Sequence, residues 1–368
     1  MDFDVQSIFN QLSIEGILVD TATCNSGHIN DTYVLTVNSG HKNIRYILQR
    51  INHHVFKDVD GLMNNISQVI NHTKRKLIEV NASDIQRKSL GLVPCKDGKN
   101  YTRDQTGNYW RAYLFIEGAK TFECIENIEQ AYQTAKAFGN FQHILSDLNS
   151  DNLIETIPKF HDTIDRYHQL IQAIEKDAKN RALFAKNEIN FFIGRKHLTS
   201  VLLKLNAKGE IPQRITHNDT KLNNVMFDNI TSEAVCILDL DTVMPGLALY
   251  DFGDLVRTTT NIALEDEQDL SKVKMDMPTF QALVQGYLHS AKHFLTSTEI
   301  NHLAFSGKLI TLEIGMRFLT DFLNGGSYFK TSRINQNLDR CRTQMTLVKS
   351  IEQQEDQMLK CVSKEMNG

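Results

Sequence analysis

The first third of the chain alternates apolar and polar residues in the manner of β-strands. Strand-like runs occur at 33–37, 44–50 and 109–116, and a further short pair straddles 97–100. The turn signal Asn38-Ser39-Gly40 separates the first two runs, which predicts a hairpin. Helical spacing of apolar residues is found at 5–15 and 58–77. Residues 1–117 are therefore predicted to form a small N-terminal antiparallel β lobe with one helix.

The pattern changes after Gly118, where apolar positions recur every three to four residues. Helical segments are predicted at 127–148, 163–177, 186–206, 278–294, 298–323 and 333–365. Residues 214–257 differ, because they form short strand-like runs punctuated by acids and asparagines. Residues 118–368 are thus predicted to be a larger helical lobe with an embedded loop-and-strand module. The predicted fold class is α+β and bilobal, and the cleft between lobes is the expected ligand site.

Composition is compatible with this arrangement. The chain has 368 residues, more than one compact core normally organises. Its net charge of -4 argues against a nucleic-acid partner, which would favour a basic surplus. There is no run of about 18 apolar residues to predict a membrane helix, and the acidic N-terminus is unlike a signal peptide. The expected location is the cytoplasm, where the six cysteines, which lack Cys-x-x-Cys spacing, would be reduced thiols.

Candidate chemistry is concentrated in the run 215–227, whose apolar ends and polar middle are typical of a loop between two short strands. An apolar strand that ends in Asp239 follows fifteen residues after Asn224. Phosphoryl transfer from ATP needs a carboxylate for the acceptor hydroxyl, oxygen ligands for Mg²⁺ and positive groups for phosphate. Asp219 suits the first role, and Asn224 and Asp239 offer the oxygen ligands that Mg²⁺ prefers. Lys221 is expected near the transferring phosphate.

His217-Asn218-Asp219, with Asn224 five residues later and Asp239 at a strand end, resembles the aminoglycoside phosphotransferase and choline kinase superfamily. The resemblance implies a bilobal protein-kinase-like fold, Asp219 as catalytic base, and Asn224 and Asp239 as magnesium ligands. His217 is expected to hold the loop by hydrogen bonds. Asp251 belongs to an Asp-Phe-Gly tripeptide, but it lies 32 residues after Asp219. It is expected to brace the loop, because the position of Asp239 suits the metal role better.

Longer segments narrow the resemblance. They are Gly27-His28-Ile29-Asn30-Asp31-Thr32-Tyr33, Tyr46-Ile47-Leu48-Gln49-Arg50-Ile51-Asn52, Thr216-His217-Asn218-Asp219-Thr220-Lys221-Leu222-Asn223-Asn224, Asp239-Leu240-Asp241-Thr242-Val243-Met244-Pro245-Gly246, Tyr250-Asp251-Phe252-Gly253-Asp254 and Gly315-Met316-Arg317-Phe318-Leu319. Together they resemble the N-acetylhexosamine 1-kinases, which phosphorylate the anomeric (C1) hydroxyl of N-acetylglucosamine or N-acetylgalactosamine. The resemblance implies that the partners are ATP, Mg²⁺ and a neutral amino sugar.

On the nucleotide side, the resemblance implies that the backbone of the connecting segment at Phe115 and Ile116 hydrogen-bonds adenine. Gln49 stands where kinases have a strand lysine, and the N-acetylhexosamine kinases have glutamine there as well. The helix that follows offers Asn65 or Gln68 in place of the usual glutamate. An amide pair is therefore expected instead of an ion pair, and the cation that neutralises the phosphates beside Mg²⁺ is left open.

On the acceptor side, the resemblance implies sugar contacts from His28, Thr242, Arg317 and Tyr328, in addition to Asp219. Each has an alternative. His28 could belong to an ordinary polar turn, Thr242 could be a cap, and Tyr328 could lie in the core. Arg317 could pair with Asp321, which follows one helical turn later.

Other functions stay open at this point. A kinase for choline, homoserine or an aminoglycoside would use the same core, but Arg317 in the pocket would repel a polycation. A catalytically inactive kinase-like binding protein is a further alternative, although such a protein has no need of the full set Asp219, Asn224 and Asp239. A monomer or weak homodimer is expected. The choice between gluco and galacto epimers is left open, because it depends on one hydroxyl contact.

Overall fold

An antiparallel sheet makes up most of the N-terminal part of the computed structural model, which describes residues 3–24, 29–326 and 328–367. Its strands are β1 Ile17–Cys24, β2 Asp31–Asn38, β3 Asn43–Ile51, β4 Leu92–Val93, β5 Thr102–Arg103 and β6 Tyr109–Leu114. The sheet order is β1-β2-β3-β6-β4, and β5 also pairs with β6. The accompanying helices are α1 Val5–Phe9, α2 Val59–Glu79 and α3 Ile85–Lys88.

The predicted hairpin is confirmed, since β2 and β3 pair in unbroken antiparallel register. Alternation buries Leu35 and Leu48 on one face of the sheet, where they pack with α1. Ile51, on the other face, packs with α2. Gln49 of β3 lies opposite Arg111 of β6 in the register. The face that packs on α2 therefore carries the polar pair Gln49 and Arg111 among apolar side chains.

Three details of this sheet differ from prediction. The helix expected at 5–15 ends at Phe9, because the following chain turns to pair Leu12 with Cys95. Strand β1 was not predicted, since it is an edge strand whose side chains are mostly exposed and show no apolar face. The short strands on either side of 97–100, expected as a pair, both pair with β6.

Helices dominate the remainder of the chain, as predicted. They are α4 Ile128–Ile144, α5 Thr163–Lys176, α6 Lys186–Ile193, α7 Val201–Ala207, α8 Ala248–Thr259, α9 Met277–Ala291, α10 Ser297–Asn301, α11 Leu303–Asn324 and α12 Gln336–Asn367. The strands are β7 Ala119–Lys120, β8 Arg214–Thr216, β9 Val225–Asp228, β10 Ala234–Ile237 and β11 Met244–Gly246. They form one sheet in the order β10-β9-β7 and a second in the order β11-β8. None of the helices in the described ranges has the length and apolar character needed to cross a lipid bilayer.

Helices α4 and α9 pack at very short range through two glycines. A Cβ at Gly286 would lie 2.1 Å from the carbonyl oxygen of Tyr132, and one at Gly139 would lie 2.8 Å from that of Tyr287. Residues with a side chain could not allow so close an approach. The contact fixes the position of α4, which carries Gln142 towards the polar loop between β8 and β9.

The helical predictions need three corrections. The segment 186–206 is interrupted between α6 and α7 by the 3-10 turn Lys196–Ser200, and 298–323 is split between α10 and α11 at His302. The segment 214–257 was predicted as strand and loop throughout, but it contains α8. Every residue of α8 from Ala248 to Arg257 is buried. Helix α8 therefore has no polar face from which a helical period could be recognised.

An apolar cluster joins the N-terminal sheet to the strand module. Ile51 of β3 and Ile66 of α2 belong to the same cluster as Ile215, Leu240 and Val243. This packing places β8 and the chain after β10 against the sheet face that carries Gln49 and Arg111. The polar loops of the module therefore meet the sheet at the junction of the two parts.

Candidate active site

A polar loop connects β8 to β9, which confirms the loop predicted within 215–227. The loop ends in the 3-10 turn Leu222–Asn224. Its first strand is held tightly, since a Cβ at Gly246 of the partner strand β11 would lie 2.3 Å from Thr216 Oγ1. Glycine is required at this position, and the loop therefore starts from a fixed strand pair.

Two acidic side chains of α8 bind backbone N–H groups of the loop between β8 and β9. The fully buried carboxylate of Asp251 accepts hydrogen bonds from the backbone N–H groups of His217 (2.9 Å) and Asn218 (2.7 Å). It also accepts one from Gln142 Nε2 at 2.6 Å. Burial raises the pKa of Asp251, although these hydrogen bonds and His217 oppose the rise. Asp254, which prediction did not single out, accepts the N–H of Thr220 at 2.9 Å.

His217 is buried and makes edge-to-face contacts with the rings of Phe138 and Phe141. Its Nε2 donates to the carbonyl oxygen of Leu238 at 2.8 Å, and its Nδ1 accepts the N–H of Asp219 at 3.3 Å. Together these bonds require the hydrogen on Nε2. Both ring nitrogens are therefore engaged in holding the loop against the end of β10.

Asn218 adopts a left-handed backbone with φ of 64°. Asparagine tolerates this conformation better than most residues, and its side chain donates to the carbonyl oxygen of Thr242 at 2.8 Å. The Thr242 hydroxyl donates in turn to the carbonyl oxygen of His217 at 2.7 Å. Thr242 is buried, and in this structure its hydroxyl hydrogen is used within the loop.

Asp219, Lys221 and Asn224 are brought together at the tip of the loop. Lys221 Nζ lies 2.7 Å from Asp219 Oδ1. Asn224 Nδ2 donates to Asp219 Oδ2 at 3.1 Å and to the Asp219 carbonyl oxygen at 2.8 Å. Burial tends to raise the pKa of Asp219, but the charge and hydrogen bond of Lys221, together with the charges of His217 and Arg257, lower it overall. Asp219 is therefore held as a carboxylate whose two oxygens have separate partners.

Asp239 lies two residues after the end of β10 and has a left-handed backbone with φ of 54°. The N–H of Leu238 donates to the Asn224 carbonyl oxygen at 2.8 Å, which ties the end of β10 to the loop. The Asp239 side chain is exposed to solvent. Desolvation by the surrounding protein, together with the charges of Asp241 and Asp219, raises its pKa to about 7. A nearby cation would stabilise the ionised form of this carboxyl group.

The donor set around Asp239 suits Mg²⁺. Asp239 offers a carboxylate and Asn224 an amide oxygen, both of the hard type that Mg²⁺ binds. Across the described residues, no group of three or more His, Cys, Asp or Glu side chains is arranged to hold a metal ion. A site with two protein ligands, completed by phosphate oxygens and water, is the form in which Mg²⁺ commonly binds with nucleotides.

The predicted amide partner of Gln49 is wrong. Asn65 of α2 instead donates to the backbone carbonyl oxygens of Ile154 and Val243, at 2.8 and 3.1 Å. Gln68 donates to the carbonyl oxygen of Asn152 at 3.0 Å. The side chain of Gln49 is held within the sheet, and its partner is an arginine.

That arginine is Arg111, which sequence reasoning missed. Its Nε and Nη2 donate to Gln49 Oε1 at 3.0 and 2.9 Å, and its Nη1 binds the carboxylate of Asp241. Asp241 also accepts a bond from Asn30 Nδ2 at 2.6 Å. The cross-strand register could have indicated the contact between Gln49 and Arg111. The contact between Arg111 and Asp241 spans 130 residues of sequence, and no local pattern indicates it.

The connecting segment is fixed by two arginines. The guanidinium of Arg45 lies 3.9 Å from the ring centre of Phe115 and pairs with Glu117. Arg87 donates to the carbonyl oxygens of Glu117 (2.9 Å) and Gly118 (3.0 Å). Ile116 is buried. The predicted adenine-binding segment thus has a defined backbone path between the two parts of the molecule.

Arg317 lies on α11 among aromatic rings. Its guanidinium is 4.8 Å from the ring centre of Phe160, and its Nη2 donates to the Tyr328 hydroxyl at 3.2 Å. The carboxylate partner is Glu313 at 3.7 Å, one turn before Arg317. Asp321, the alternative partner, accepts the N–H of Tyr328 at 2.9 Å. His28, the other predicted sugar contact, lies outside the described residues.

A buried chain of contacts joins Arg317 to the loop. Glu313 is fully buried, and its Oε2 lies 2.9 Å from His161 Nδ1. His161 Nε2 lies 3.3 Å from the carbonyl oxygen of Asn218, next to Asp219. Burial tends to raise the pKa of Glu313, but His161 and Arg317 lower it. His161 and Glu313 were not predicted, because nothing in their local sequence distinguishes them.

Comparison with solved structures defines the fold. An aminoglycoside phosphotransferase from Alicyclobacillus acidocaldarius aligns with a TM-score of 0.63 and 13% identity, covering 96% of each chain. A spectinomycin phosphotransferase, solved with ADP and spectinomycin, gives 0.54 and 12%, covering 96% of this chain and 100% of that one. A choline kinase from Cryptosporidium parvum gives 0.53 and 14%, covering 95% and 93%. The α+β fold is that of the protein-kinase-like small-molecule kinases, as predicted.

Residues 20–276 match the model of the phosphotransferase enzyme family. The chain belongs to this family and is a phosphotransferase. The matched range contains the whole polar loop, Asp239 and α8, and it ends before Arg317. The family match therefore covers the predicted phosphoryl-transfer residues, whereas Arg317 of α11, predicted to contact the acceptor, lies beyond it.

Proposed function

We propose that this enzyme transfers the γ-phosphoryl group of ATP to the anomeric hydroxyl of N-acetylglucosamine or N-acetylgalactosamine, giving the sugar 1-phosphate. The observation that carries the proposal is the convergence of Asp219, Lys221 and Asn224 at one loop tip, beside Asp239 and joined through His161 to Arg317. The resemblance of the surrounding segments to N-acetylhexosamine 1-kinases supports the choice of acceptor.

In the proposed reaction, Asp219 accepts a hydrogen bond from the C1 hydroxyl and aligns its oxygen with the γ-phosphorus. The bond from that oxygen to phosphorus forms as the bond from phosphorus to the β–γ bridging oxygen breaks, and the hydroxyl proton passes to Asp219. Lys221 exchanges its contact with Asp219 for the transferring phosphoryl group. Asn224 and Asp239 hold Mg²⁺, which when bound neutralises charge on the β- and γ-phosphates. Positioning and charge neutralisation supply the catalysis.

The charge of the acceptor pocket favours a neutral sugar over a cation. Burial and the nearby charge of Arg317 lower the pKa of Arg166. Glu313 is already paired with His161 and Arg317. The guanidinium of Arg317 disfavours a cationic group of choline or an aminoglycoside beside it, whereas sugar hydroxyl and amide oxygens can accept bonds from Arg317 and Tyr328. Stacking of a sugar face on Tyr328 is also available, since 57% of this residue is exposed.

In this proposal the two lobes divide the work. Residues 1–117 bind the nucleotide, with the connecting segment at Phe115 and Ile116 facing adenine and Gln49 facing the phosphates. Residues 118–368 supply the loop, the metal ligands and the acceptor pocket. This division is supported by the junction at which the sheet face carrying Gln49 meets the loop after β10.

The test is ADP release from ATP and Mg²⁺ with N-acetylglucosamine, N-acetylgalactosamine, choline, homoserine and kanamycin in parallel. We expect acceptor-dependent turnover with one or both N-acetylhexosamines, and no more than background with the cationic acceptors. Turnover with choline or kanamycin in excess of both sugars would refute the sugar assignment. The phosphotransferase class itself would stand in that case.

A further inference from the structure

Arg111 is a buried cation that connects the two parts of the molecule. Only 1% of the residue is exposed, yet its guanidinium has three directed contacts. Two donors bind Gln49 Oε1 on the neighbouring strand, and the third binds Asp241 in the turn after β10. Asp241 stands two residues after the proposed metal ligand Asp239. The contact therefore fixes the turn that carries Asp239 relative to the strand that carries Gln49.

Both carboxylate oxygens of Asp241 accept hydrogen bonds from side chains of the N-terminal part of the chain. Oδ1 is bound by Arg111 and Oδ2 by Asn30 Nδ2 at 2.6 Å. Asn30 in turn accepts the N–H of Asn52 at 3.0 Å, which ties the start of β2 to the end of β3. The Asp241 backbone carbonyl accepts the Thr156 hydroxyl at 2.8 Å. Each of these bonds restricts the turn between Asp239 and Thr242.

A buried ion pair is a weak source of stability, because desolvation of both charges offsets their attraction. Its geometric effect is larger, since a guanidinium with three engaged donors has a fixed plane. Arg111 uses that plane to orient the Gln49 amide: with Oε1 bound by Arg111, the Gln49 Nε2 group points away from it and donates to Thr32 Oγ1 at 3.2 Å. An oriented amide can present its second N–H to a phosphate oxygen.

We propose that Arg111 and Asp241 are positioning residues that together replace the strand-lysine and helix-glutamate pair of other kinases. Arg111 fixes the Gln49 amide towards the phosphates, and Asp241 fixes the metal-binding turn against the sheet. The inference rests on the proposed nucleotide site, but it does not depend on which acceptor is used.

The alternative is an ion pair that only holds the fold. Arg111→Met leaves Asp241 buried and unpaired, so loss of fold in that variant would not separate the two readings. The double variant R111M/D241N removes both charges. It is expected to fold if the ion pair fixes the geometry of the site and contributes little to stability. A second double variant, Q49K/R111M, moves the cation from Arg111 to the opposite position on the neighbouring strand. Arg50→Met is the matched control, because Arg50 neighbours Gln49 on β3 but pairs with Asp31.

The measurements are MgADP affinity by calorimetry without acceptor, and kcat and KM for MgATP with the best acceptor. We expect R111M/D241N to melt cooperatively and to lose about 10- to 100-fold in MgADP affinity and in kcat/KM for MgATP, the range for groups that orient metal ligands. Q49K/R111M should recover most of the loss, and R50M should match the wild type.

The inference is overturned if folded R111M/D241N binds MgADP and turns over MgATP as the wild type does. It is equally overturned if Q49K/R111M is folded and recovers nothing relative to R111M/D241N. Failure of the proposed function looks different: the wild type then binds MgADP but phosphorylates none of the N-acetylhexosamines, and the effect of R111M/D241N on MgADP binding is still measurable.

Discussion

The backbone N–H of Asn218 donates to Asp251 Oδ1 at 2.7 Å, so an acid within the buried helix α8 holds the loop residue next to Asp219. Asp251 belongs to an Asp-Phe-Gly tripeptide, but its neighbours serve packing. Phe252 is fully buried, and a Cβ at Gly253 would lie 2.5 Å from the carbonyl oxygen of Ser306 on α11. The tripeptide is therefore part of a helix contact and not of a metal-binding loop.

Asp251→Ala should destabilise the protein strongly. The substitution leaves the N–H groups of His217 and Asn218 buried without their acceptor, at about 1–3 kcal/mol each, so we expect a loss of about 2–6 kcal/mol in the free energy of unfolding. Asp276→Ala is the control, since Asp276 also accepts a backbone N–H, at the partly exposed start of α9, where such a loss costs about 0.5–2 kcal/mol. Urea unfolding measures both. Equal midpoints for the two variants would contradict the role given to Asp251.

Binding of MgADP should weaken as the pH falls through 7. The raised pKa of Asp239, about 7, means that its carboxyl group takes up a proton below that pH, whereas an ordinary aspartate stays ionised to about pH 4. Because Mg²⁺ binds the ionised form, binding releases a proton and affinity falls by up to about tenfold per pH unit below the pKa.

Calorimetry in two buffers of different ionisation enthalpy detects that proton directly. Asp239→Asn is the matched variant, because it keeps the shape of the side chain and cannot titrate. We expect weak, pH-independent MgADP binding for this variant. Wild-type affinity that stays constant from about pH 6 to pH 8 would rule out Asp239 as the titrating ligand.

Arg317→Gln should affect the acceptor and not the nucleotide. The guanidinium is held over Phe160 and bound to Tyr328, so its loss removes a charged hydrogen bond to the sugar. We expect KM for the N-acetylhexosamine to rise about 10- to 100-fold, with KM for MgATP nearly unchanged. Arg195→Gln is a suitable control, since Arg195 pairs with Glu352. A comparable rise in KM for MgATP would show that Arg317 acts on the loop as a whole.

Local sequence patterns were sufficient for much of the fold. The alternation of β2 and β3 predicted the hairpin, and the amphipathic spacing of α2, α4 and α5 predicted those helices close to their observed ends. Prediction failed for segments whose two faces do not differ in exposure. Strand β1 is exposed on most of its length, and α8 is buried on nearly all sides. Neither has the two unlike faces on which such reasoning depends.

Only part of the site could likewise be predicted from the sequence. Asp219, Asn224 and Asp239 lie within 21 residues of sequence and show a recognisable spacing. The Arg111–Asp241 pair and the His161–Glu313 pair join residues 130 and 152 positions apart. Such contacts are set by how the lobes and helices pack, and no local period encodes them. The expected partner of Gln49 on α2 was wrong for this reason.

The most direct test of the account is ³¹P NMR of the reaction of ATP, Mg²⁺ and an N-acetylhexosamine with the wild type and with Asp219→Asn. Transfer to the C1 hydroxyl gives a new phosphate resonance coupled to the anomeric proton of the sugar. We expect Asp219→Asn to form no such product while it binds MgADP within about threefold of the wild type, as expected for a group that acts in the transition state. A product coupled to the C6 protons, or a near-normal rate for Asp219→Asn, would contradict the proposed function.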